Sequence, residues 1–333
     1  MAYKGHHECE ILGSGPEAAE SALNWEKCRK NPGHEQFISA GDFIENHLPR
    51  LETCYQRDRL RARIDLTVRL RVNWTSLDRP SEDQLSQLRG RDRLRCGTGF
   101  VDDVSDPVTD KPCFCNECDG KVTRKHWTFT VDTAQHVVYN AEEARNTRLD
   151  FFYDDENINV GNGMKSVWAL RVERSSPDTD ISRLFCVTHD EDLGERIKSL
   201  STLWNGSKKY PLDLSSLKML PSRNRKGGPA IIVSHPHGQP KKITVGRATD
   251  KEHPLVKYNI PTCPGSSGAP IFQFYPHLAN IPYINYCRPI HSGSYNTYSW
   301  GNNKGQTNSL VKFFKNLTGY KNTQDQKNYG YNW

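Results

Sequence analysis

The sequence of 333 residues lacks long apolar runs. Because no stretch of about 18 consecutive apolar residues occurs, we expect no membrane-spanning helix and no membrane partner. The opening stretch, MAYKGHHECEILGSG, also lacks the apolar segment that a secretory signal needs. The expected location is therefore cytoplasmic or nuclear.

The sequence also lacks the cysteine density of a small disulfide-stapled domain. Its ten cysteines are spread along a long chain. With no secretory signal beside them, they are expected to stay reduced. A hydrophobic content of 35% and a charged content of 25% indicate a folded chain, long enough for one large domain or two of ordinary size.

The chain divides into two regions that differ in the spacing of their apolar residues. Residues 1–60 carry apolar residues at helical spacing, and Ser39 is a candidate helix cap. From residue 61, strict alternation in IDLTVRLRVNW predicts a half-buried strand, and most later apolar runs are short and bounded by Gly, Pro, Asn or Asp. This pattern predicts an all-β barrel or sandwich. Residues 190–228 look like a connector, TNSLVKFFKNLTGY like a closing helix, and residues 321–333 like a flexible tail.

The stretch TCPGSSGAPIF, Thr262 to Phe272, crowds two serines between glycines and a proline. It is either a plain turn or a turn that presents a nucleophile. A nucleophilic serine needs a general base, a group that orients this base, and N–H donors for an oxyanion. Upstream, His136 ends a strand-like stretch and Asp180 precedes another, so both are candidates.

Five short motifs occur in one order: GTGFV (97–101), TAQHVV (133–138), DTDIS (178–182), GSSGAPIF (265–272) and IHSGS (290–294). Together they resemble the trypsin-like serine peptidases of the chymotrypsin fold, over roughly residues 64–318. The resemblance implies an all-β double barrel. Its first barrel would span 61–190, and its second barrel, with the closing helix, 229–320. Residues 1–60 would form a helical N-terminal extension.

The resemblance also implies roles. Ser267 would attack the scissile carbonyl, His136 would take and return its proton, and Asp180 would orient the imidazole. The N–H groups of Gly265 and Ser267 would form the oxyanion hole, and no cofactor would be required. Asp178 lies in the same turn and is the alternative to Asp180.

Two departures separate the chain from the digestive members of this family. Ser266 stands where those members carry an aspartate, and no Ile-Val-Gly-Gly activation sequence precedes the barrel. The chain thus resembles the intracellular, bacterial and viral branches of the family, which need no such activation. SHPHGQPKKI and SSGAPIF resemble vertebrate nuclear trypsin-like proteases.

The specificity pocket follows from the same resemblance. Thr262 and His291 occupy the positions that line it, a pair that resembles glutamyl endopeptidases and implies a preference for Glu or Gln. A hydroxyl and an imidazole can both hydrogen-bond a carboxylate or an amide. The alternative is that His291 only fills space between the barrels. Ser292, Gly293 and Ser294 would pair with the substrate as an added strand.

Cys113, Cys115 and Cys118, in CFCNEC, are close enough to share a metal. Cys96 or His126 would complete a tetrahedral zinc site. The alternative is a reduced surface loop between two strands. His235 and His237 lie in SHPHG, which we interpret as a structural turn that opens the second barrel and not as a metal site.

The net charge is +6, and arginines crowd the region from Arg57 to Arg95. This region is a candidate nucleic-acid surface. The interleaved aspartates favour a solvated charged face instead. Two functions therefore stand beside a serine endopeptidase: a catalytically silent binding module of the protease fold, and a nucleic-acid-associated protein. The arginines of this region, called the arginine cluster below, are Arg57, Arg59, Arg61, Arg63, Arg69, Arg71, Arg89, Arg91, Arg93 and Arg95.

Overall fold

The computed structural model describes residues 6–50, 54–159, 161–206, 229–252, 255–273, 289–294 and 327–331. None of the helices in these ranges is long and apolar enough to span a membrane. The α-helices are α1 (Glu17–Glu26), α2 (Ala40–Asp42), α3 (Cys54–Asp65), α4 (Ala141–Arg145) and α5 (Glu191–Gly206). The strands are β1 (His6–His7), β2 (Glu10–Ile11), β3 (Ile38–Ser39), β4 (Thr67–Val72), β5 (Arg95–Val104), β6 (Pro112–Cys113), β7 (Val122–Thr123), β8 (Trp127–Ala134), β9 (Thr147–Phe151), β10 (Lys165–Ser176), β11 (Ile181–Thr188), β12 (Pro229–Ser234), β13 (Lys242–Glu252), β14 (Leu255–Tyr258), β15 (Ile271–Gln273), β16 (Ile290–Ser294) and β17 (Asn328–Tyr331).

The first barrel is an antiparallel sheet in the order β5-β4-β9-β10-β11-β8, and β5 pairs with β8 to close it. Val68, Leu70 and Val72, which alternate along β4, are fully buried in its interior. Alternating apolar residues bury one face of a strand, which is why this pattern predicted a barrel strand. Arg69 points the other way and pairs with the buried Asp150.

The second barrel contains β12 to β17, with neighbours in the order β16-β17-β14-β13-β12-β15. An antiparallel bridge between Pro270 and Ile290 joins its two ends. The buried core of this barrel includes Ile232, Val256 and Ile260. The predicted all-β double barrel is thus the observed fold.

The N-terminal segment connects the two barrels. β1 pairs with β16 of the second barrel, and β2 pairs with β5 of the first. Residues 6–11 therefore cross the cleft between the barrels as an extended strand. The sequence predicted that these residues belong to a helical extension. Among the described residues of 1–60, only α1 and α3 are regular helices longer than two turns.

The described boundaries differ from the predicted ones in three places. α3 continues to Asp65, so Ile64 belongs to a helix and not to a strand. Ile64 lies one helical turn after Leu60, and both side chains pack against the second barrel. α5 occupies the first part of the predicted connector, and β17 lies in the predicted tail, held between β14 and β16. The predicted closing helix and connector residues 207–228 lie outside the described residues. Ser39 caps α2 as expected, since its Oγ accepts from the N–H of Asp42.

Candidate active site

Three predicted residues meet in the cleft between the barrels. His136 Nε2 lies 2.7 Å from Ser267 Oγ, and His136 Nδ1 lies 2.7 Å from Asp180 Oδ2. The other carboxylate oxygen of Asp180 accepts from the backbone N–H of His136 at 2.9 Å. With Nδ1 donating to the carboxylate, Nε2 is left to accept the Ser267 hydroxyl proton. This tautomer prepares the imidazole to act as a base.

Asp180 is held by its surroundings more firmly than its rival. It is buried, whereas Asp178 is exposed. The Ser292 hydroxyl also donates to its Oδ2. Burial would raise the pKa of Asp180, but His136, His7 and Ser292 together outweigh burial and lower the pKa to about 2. The carboxylate is therefore ionised at neutral pH.

The turn before β15 holds Ser267 through two glycines with left-handed backbone. Gly265 has φ +94° and Gly268 has φ +86°. A Cβ on Gly265 would lie 2.5 Å from the His235 carbonyl oxygen, and one on Gly268 would lie 2.0 Å from the Thr98 carbonyl oxygen. Only glycine fits such positions, which explains the small residues around the serine.

The backbone N–H groups of Gly265 and Ser267 converge on one oxygen, the carbonyl of Glu8. The N···O distances are 2.6 Å and 3.4 Å. These are the two donors that the sequence predicted for an oxyanion hole. An element of the chain itself thus lies where a substrate carbonyl would lie, and no sequence pattern had indicated it.

The residues around Glu8 follow the cleft on both sides. His6 pairs with Ser294 and His7 with Gly293, along the strand that was predicted to bind substrate backbone. On the other side, Glu10 pairs with Cys96 of β5. His7 also stacks on His136, with ring centroids 3.9 Å apart. Segment 6–11 therefore has the backbone pairing of an extended peptide in a protease cleft.

The Glu8 side chain enters a buried pocket that contains both predicted specificity residues. His291 Nε2 lies 2.9 Å from Glu8 Oε2. The Lys30 ammonium forms an ion pair with the same carboxylate and donates to Thr262 Oγ1 at 3.0 Å. Tyr258 hydrogen-bonds His291 from behind, through Oη and Nδ1. Thr262 and His291 were predicted for this pocket, whereas Lys30, which comes from the extension, was not.

The charges in this pocket have a definite direction. Burial would raise the pKa of Glu8, but Lys30 and His291 outweigh it and lower this pKa below its ordinary value. Burial lowers the pKa of His291, although Glu8 opposes that shift. A neutral His291 donates from Nε2 to the carboxylate and accepts at Nδ1 from Tyr258. The positive charge opposite Glu8 therefore comes from Lys30.

The cluster of Cys113, Cys115 and Cys118 is completed by His189, whereas Cys96 or His126 was expected. Cys115 Sγ and Cys118 Sγ lie 3.4 Å and 3.5 Å from His189 Nε2, and Cys113 completes the group. His189 Nδ1 lies 2.9 Å from a backbone carbonyl oxygen, which leaves Nε2 for the cluster. The expected partners are placed elsewhere: Cys96 pairs with Glu10 in the cleft, and His126 Nδ1 contacts the Arg124 carbonyl. His189 follows β11, far along the chain, so spacing alone could not identify it.

Some residues of the arginine cluster are buried in the protein. Arg59, Arg63, Arg69 and Arg95 are buried. Arg95 pairs with the buried Glu143. Guanidinium groups used in this way cannot neutralise a phosphate backbone. Nucleic-acid binding through the exposed members stays a prediction.

Comparisons with known proteins give one matching family model and several similar solved structures. The family model of the trypsin-like peptidase domain matches residues 118–276. No curated protein sequence matches the chain. Among solved structures, the Rv3671c protease from M. tuberculosis in its active form is 12% identical, with a TM-score of 0.38 over 89% of this chain and 83% of that one. An HtrA-type protease with a decapeptide is 9% identical, with a TM-score of 0.38 over 84% of this chain and 63% of that one.

A thermostable serine protease, AL20, from an extremophilic microorganism is 11% identical to this chain. Its TM-score is 0.37, over 80% of this chain and 91% of that one. The matched domain includes His136, Asp180 and Ser267. Over residues 118–276, the chain is similar to the trypsin-like peptidase domain.

Proposed function

We propose that the chain hydrolyses peptide bonds with Ser267 as nucleophile, His136 as general base and then general acid, and Asp180 as the group that orients the imidazole. The support is the chain of hydrogen bonds from Asp180 to Ser267 and the convergence of the Gly265 and Ser267 N–H groups on one carbonyl oxygen. Each such donor is worth about 10²- to 10³-fold in rate. A silent binding module would not need this alignment.

The enzyme prefers Glu on the acyl side of the cut, with Gln second. The observation that carries this proposal is the position of Glu8: its carbonyl oxygen meets the two N–H donors while its carboxylate meets His291 and Lys30. A glutamine could accept the hydrogen bond from His291 but could not neutralise the ammonium of Lys30. An apolar side chain would leave both groups unpaired, which costs more.

The Glu8–Cys9 bond of the chain itself is a substrate. Ser267 Oγ adds to the Glu8 carbonyl carbon as its proton passes to His136 Nε2. The C–N bond then breaks, and the Cys9 amine leaves with that proton. Water, deprotonated by the same imidazole, hydrolyses the Glu8 ester and restores Ser267. The new N-terminus is Cys9, and residues 6–8 leave the cleft as product.

Intact mass spectrometry of the purified chain, with Ser267→Ala as the control, tests this proposal. The wild-type chain should begin at Cys9 and the variant should retain residues 1–8. The fraction cleaved should not depend on dilution, since the segment already lies in the cleft of its own chain. A wild-type chain that keeps Glu8–Cys9 intact while it cleaves Glu peptides would show that segment 6–11 is an inhibitor rather than a substrate. A wild-type chain that cleaves neither its own Glu8–Cys9 bond nor any peptide would overturn the peptidase assignment of Ser267 itself.

A structural zinc ion is the second proposal, held by Cys113, Cys115, Cys118 and His189. The support is a set of three sulfurs and one imidazole nitrogen within 4.8 Å of one another, the donor set of a closed Cys₃His site. The site contributes stability to the loop that contains β6 and β7 and takes no part in the triad mechanism. Elemental analysis of the Cys115→Ser variant should show one zinc ion fewer than the wild type; an unchanged content would contradict the site.

A further inference from the structure

A second cluster of metal-ligand side chains lies beside the specificity pocket, and the protease mechanism does not use it. Cys28, His34, His237 and Cys263 are all buried, and their ligand atoms lie within 4.8 Å of one another. Cys28 follows α1, and His34 ends a short turn after it. His237 lies in the turn between β12 and β13, and Cys263 lies four residues before Ser267. The cluster thus joins the N-terminal extension to the second barrel.

We propose that these four residues bind a structural zinc ion. The two sulfurs are 3.6 Å apart, and Cys263 Sγ lies 3.4 Å from His34 Nε2. A tetrahedral zinc with Zn–S bonds of about 2.3 Å and Zn–N bonds of about 2.0 Å has edges of about 3.8 Å and 3.5 Å between such ligands. Two thiolates and two imidazoles in a closed tetrahedron are a preferred zinc ligand set.

The surroundings orient the ligands for a metal. His237 Nδ1 hydrogen-bonds Glu10 Oε2 at 2.7 Å, while its Nε2 is buried and makes no hydrogen bond among the described residues. A carboxylate on one imidazole nitrogen and a metal on the other is the usual arrangement around zinc. Asn31 supplies N–H groups to both sulfurs, from its backbone to Cys28 at 3.4 Å and from its amide to Cys263 at 3.0 Å.

The backbone at both histidines is unusual. His34 has φ 46° and His237 has φ 55°, left-handed values that side-chain-bearing residues seldom adopt. Such strain persists where the surroundings fix it, often at functional sites. Two strained histidines from distant parts of the chain, both aimed at the same pair of sulfurs, are explained by a shared ion.

The site has a structural consequence for the pocket. Lys30 lies two residues after Cys28, and Thr262 directly precedes Cys263. The ion therefore fixes both ends of the Lys30–Thr262 contact, which measures 3.0 Å. This consequence depends on the proposed Glu preference, whereas the metal site itself does not.

Metal content tests the site. The wild-type chain, purified from cells without chelator, should contain about two zinc ions, because the Cys115 cluster holds the other. Cys28→Ser and Cys115→Ser should each contain about one, and the double variant none. Cys186→Ala, which removes a buried thiol outside both clusters, should keep both. A Cys28→Ser chain with the wild-type content would overturn the proposal.

If Cys28→Ser fails to fold, X-ray absorption on the Cys115→Ser variant can identify the ligands of the remaining zinc ion instead. With the other site removed, the remaining zinc should show two sulfur and two nitrogen ligands. A spectrum with three or four sulfurs would contradict the assignment. So would a metal-free chain whose mass is lower by two hydrogens, because a Cys28–Cys263 disulfide would then explain the cluster.

Discussion

The two sides of the cleft are built from different parts of the chain. The triad and the oxyanion donors come from loops of the two barrels: His136 follows β8, Asp180 precedes β11, and Ser267 lies between β14 and β15. The charge-bearing side of the pocket comes from the N-terminal extension, which supplies Lys30 opposite Glu8. In the proposed function, bond cleavage therefore depends on the barrels, whereas the proposed choice of a carboxylate depends on the extension.

The largest effect is expected at the barrel side, for Ser267→Ala. Without its hydroxyl no acyl-enzyme forms, so kcat/KM should fall by at least about 10⁴-fold for Glu and Gln peptides alike. The melting curve should change little, since one oxygen is removed from a packed turn. Peptide hydrolysis and circular dichroism measure both properties, and full activity in this variant would exclude the assignment.

Asp180→Asn should lower kcat about 10³- to 10⁴-fold, because the amide cannot hold the imidazole in the required tautomer. The control is Asp178→Asn, which changes an exposed carboxylate in the same turn and should keep most activity. Steady-state kinetics on one Glu peptide separates them. The reverse order of severity would identify Asp178 as the orienting residue.

Lys30→Met changes the extension side and should act on selectivity alone. Removing the partner of a buried carboxylate costs about 2 kcal/mol or more, so kcat/KM for Glu peptides should fall about 30-fold. The value for Gln peptides should hold or rise, because no ion pair is lost and the ammonium that Gln cannot neutralise is removed. Lys27→Met, at an exposed position in the same segment, is the matched control. Equal losses for Glu and Gln would show that Lys30 acts on the fold or the triad instead.

The ratio of Glu to Gln cleavage should depend on pH in one direction. The pKa of Glu8 is lowered in the pocket by Lys30 and His291, so the pocket favours the carboxylate over the acid. That advantage is full above the free Glu pKa of about 4.3 and is lost as the pH falls below it, by up to about tenfold per unit. Matched peptides assayed between about pH 7 and pH 4 measure the ratio. A ratio that rises on acidification would indicate recognition of the protonated acid.

The smallest effect on catalysis is expected at the Cys113 cluster, on the outside of the first barrel. Cys115→Ser should lower the melting temperature through loss of zinc and leave the Glu-to-Gln ratio unchanged. Differential scanning fluorimetry and the same peptide pair measure the two quantities. A changed ratio would mean that this loop reaches the pocket.

The parts that could be predicted from the sequence are those that local patterns encode. Alternating apolar residues marked the barrel strands, and the glycine-framed serine turn and the histidine after β8 pointed to two members of the constellation. The helix that ends at Asp65 was misassigned, because Ile64 fits both a two-residue alternation and a helical step from Leu60. Periodicity alone cannot separate these two in a short apolar stretch.

The rest depended on contacts between residues far apart in the chain. Lys30 donates to Thr262 across 232 positions, and His189 completes a cysteine cluster 71 positions away from Cys118. Neither residue carries a local signal that separates it from an ordinary surface lysine or histidine. The SHPHG turn was interpreted as structural for the same reason, since its thiol partners lie in other segments.

The most direct test of this account is cleavage profiling of the enzyme on a peptide library that varies the residue before the cut. The central claim is that a neutral His291 and a charged Lys30 together select a carboxylate. We expect cleavage after Glu, weaker cleavage after Gln, and almost none after apolar residues. Cleavage mainly after Phe, Tyr or Leu would contradict this claim, because the pocket would then be apolar. Cleavage after Lys or Arg would also contradict it, because the ammonium of Lys30 would repel a second positive charge in the pocket.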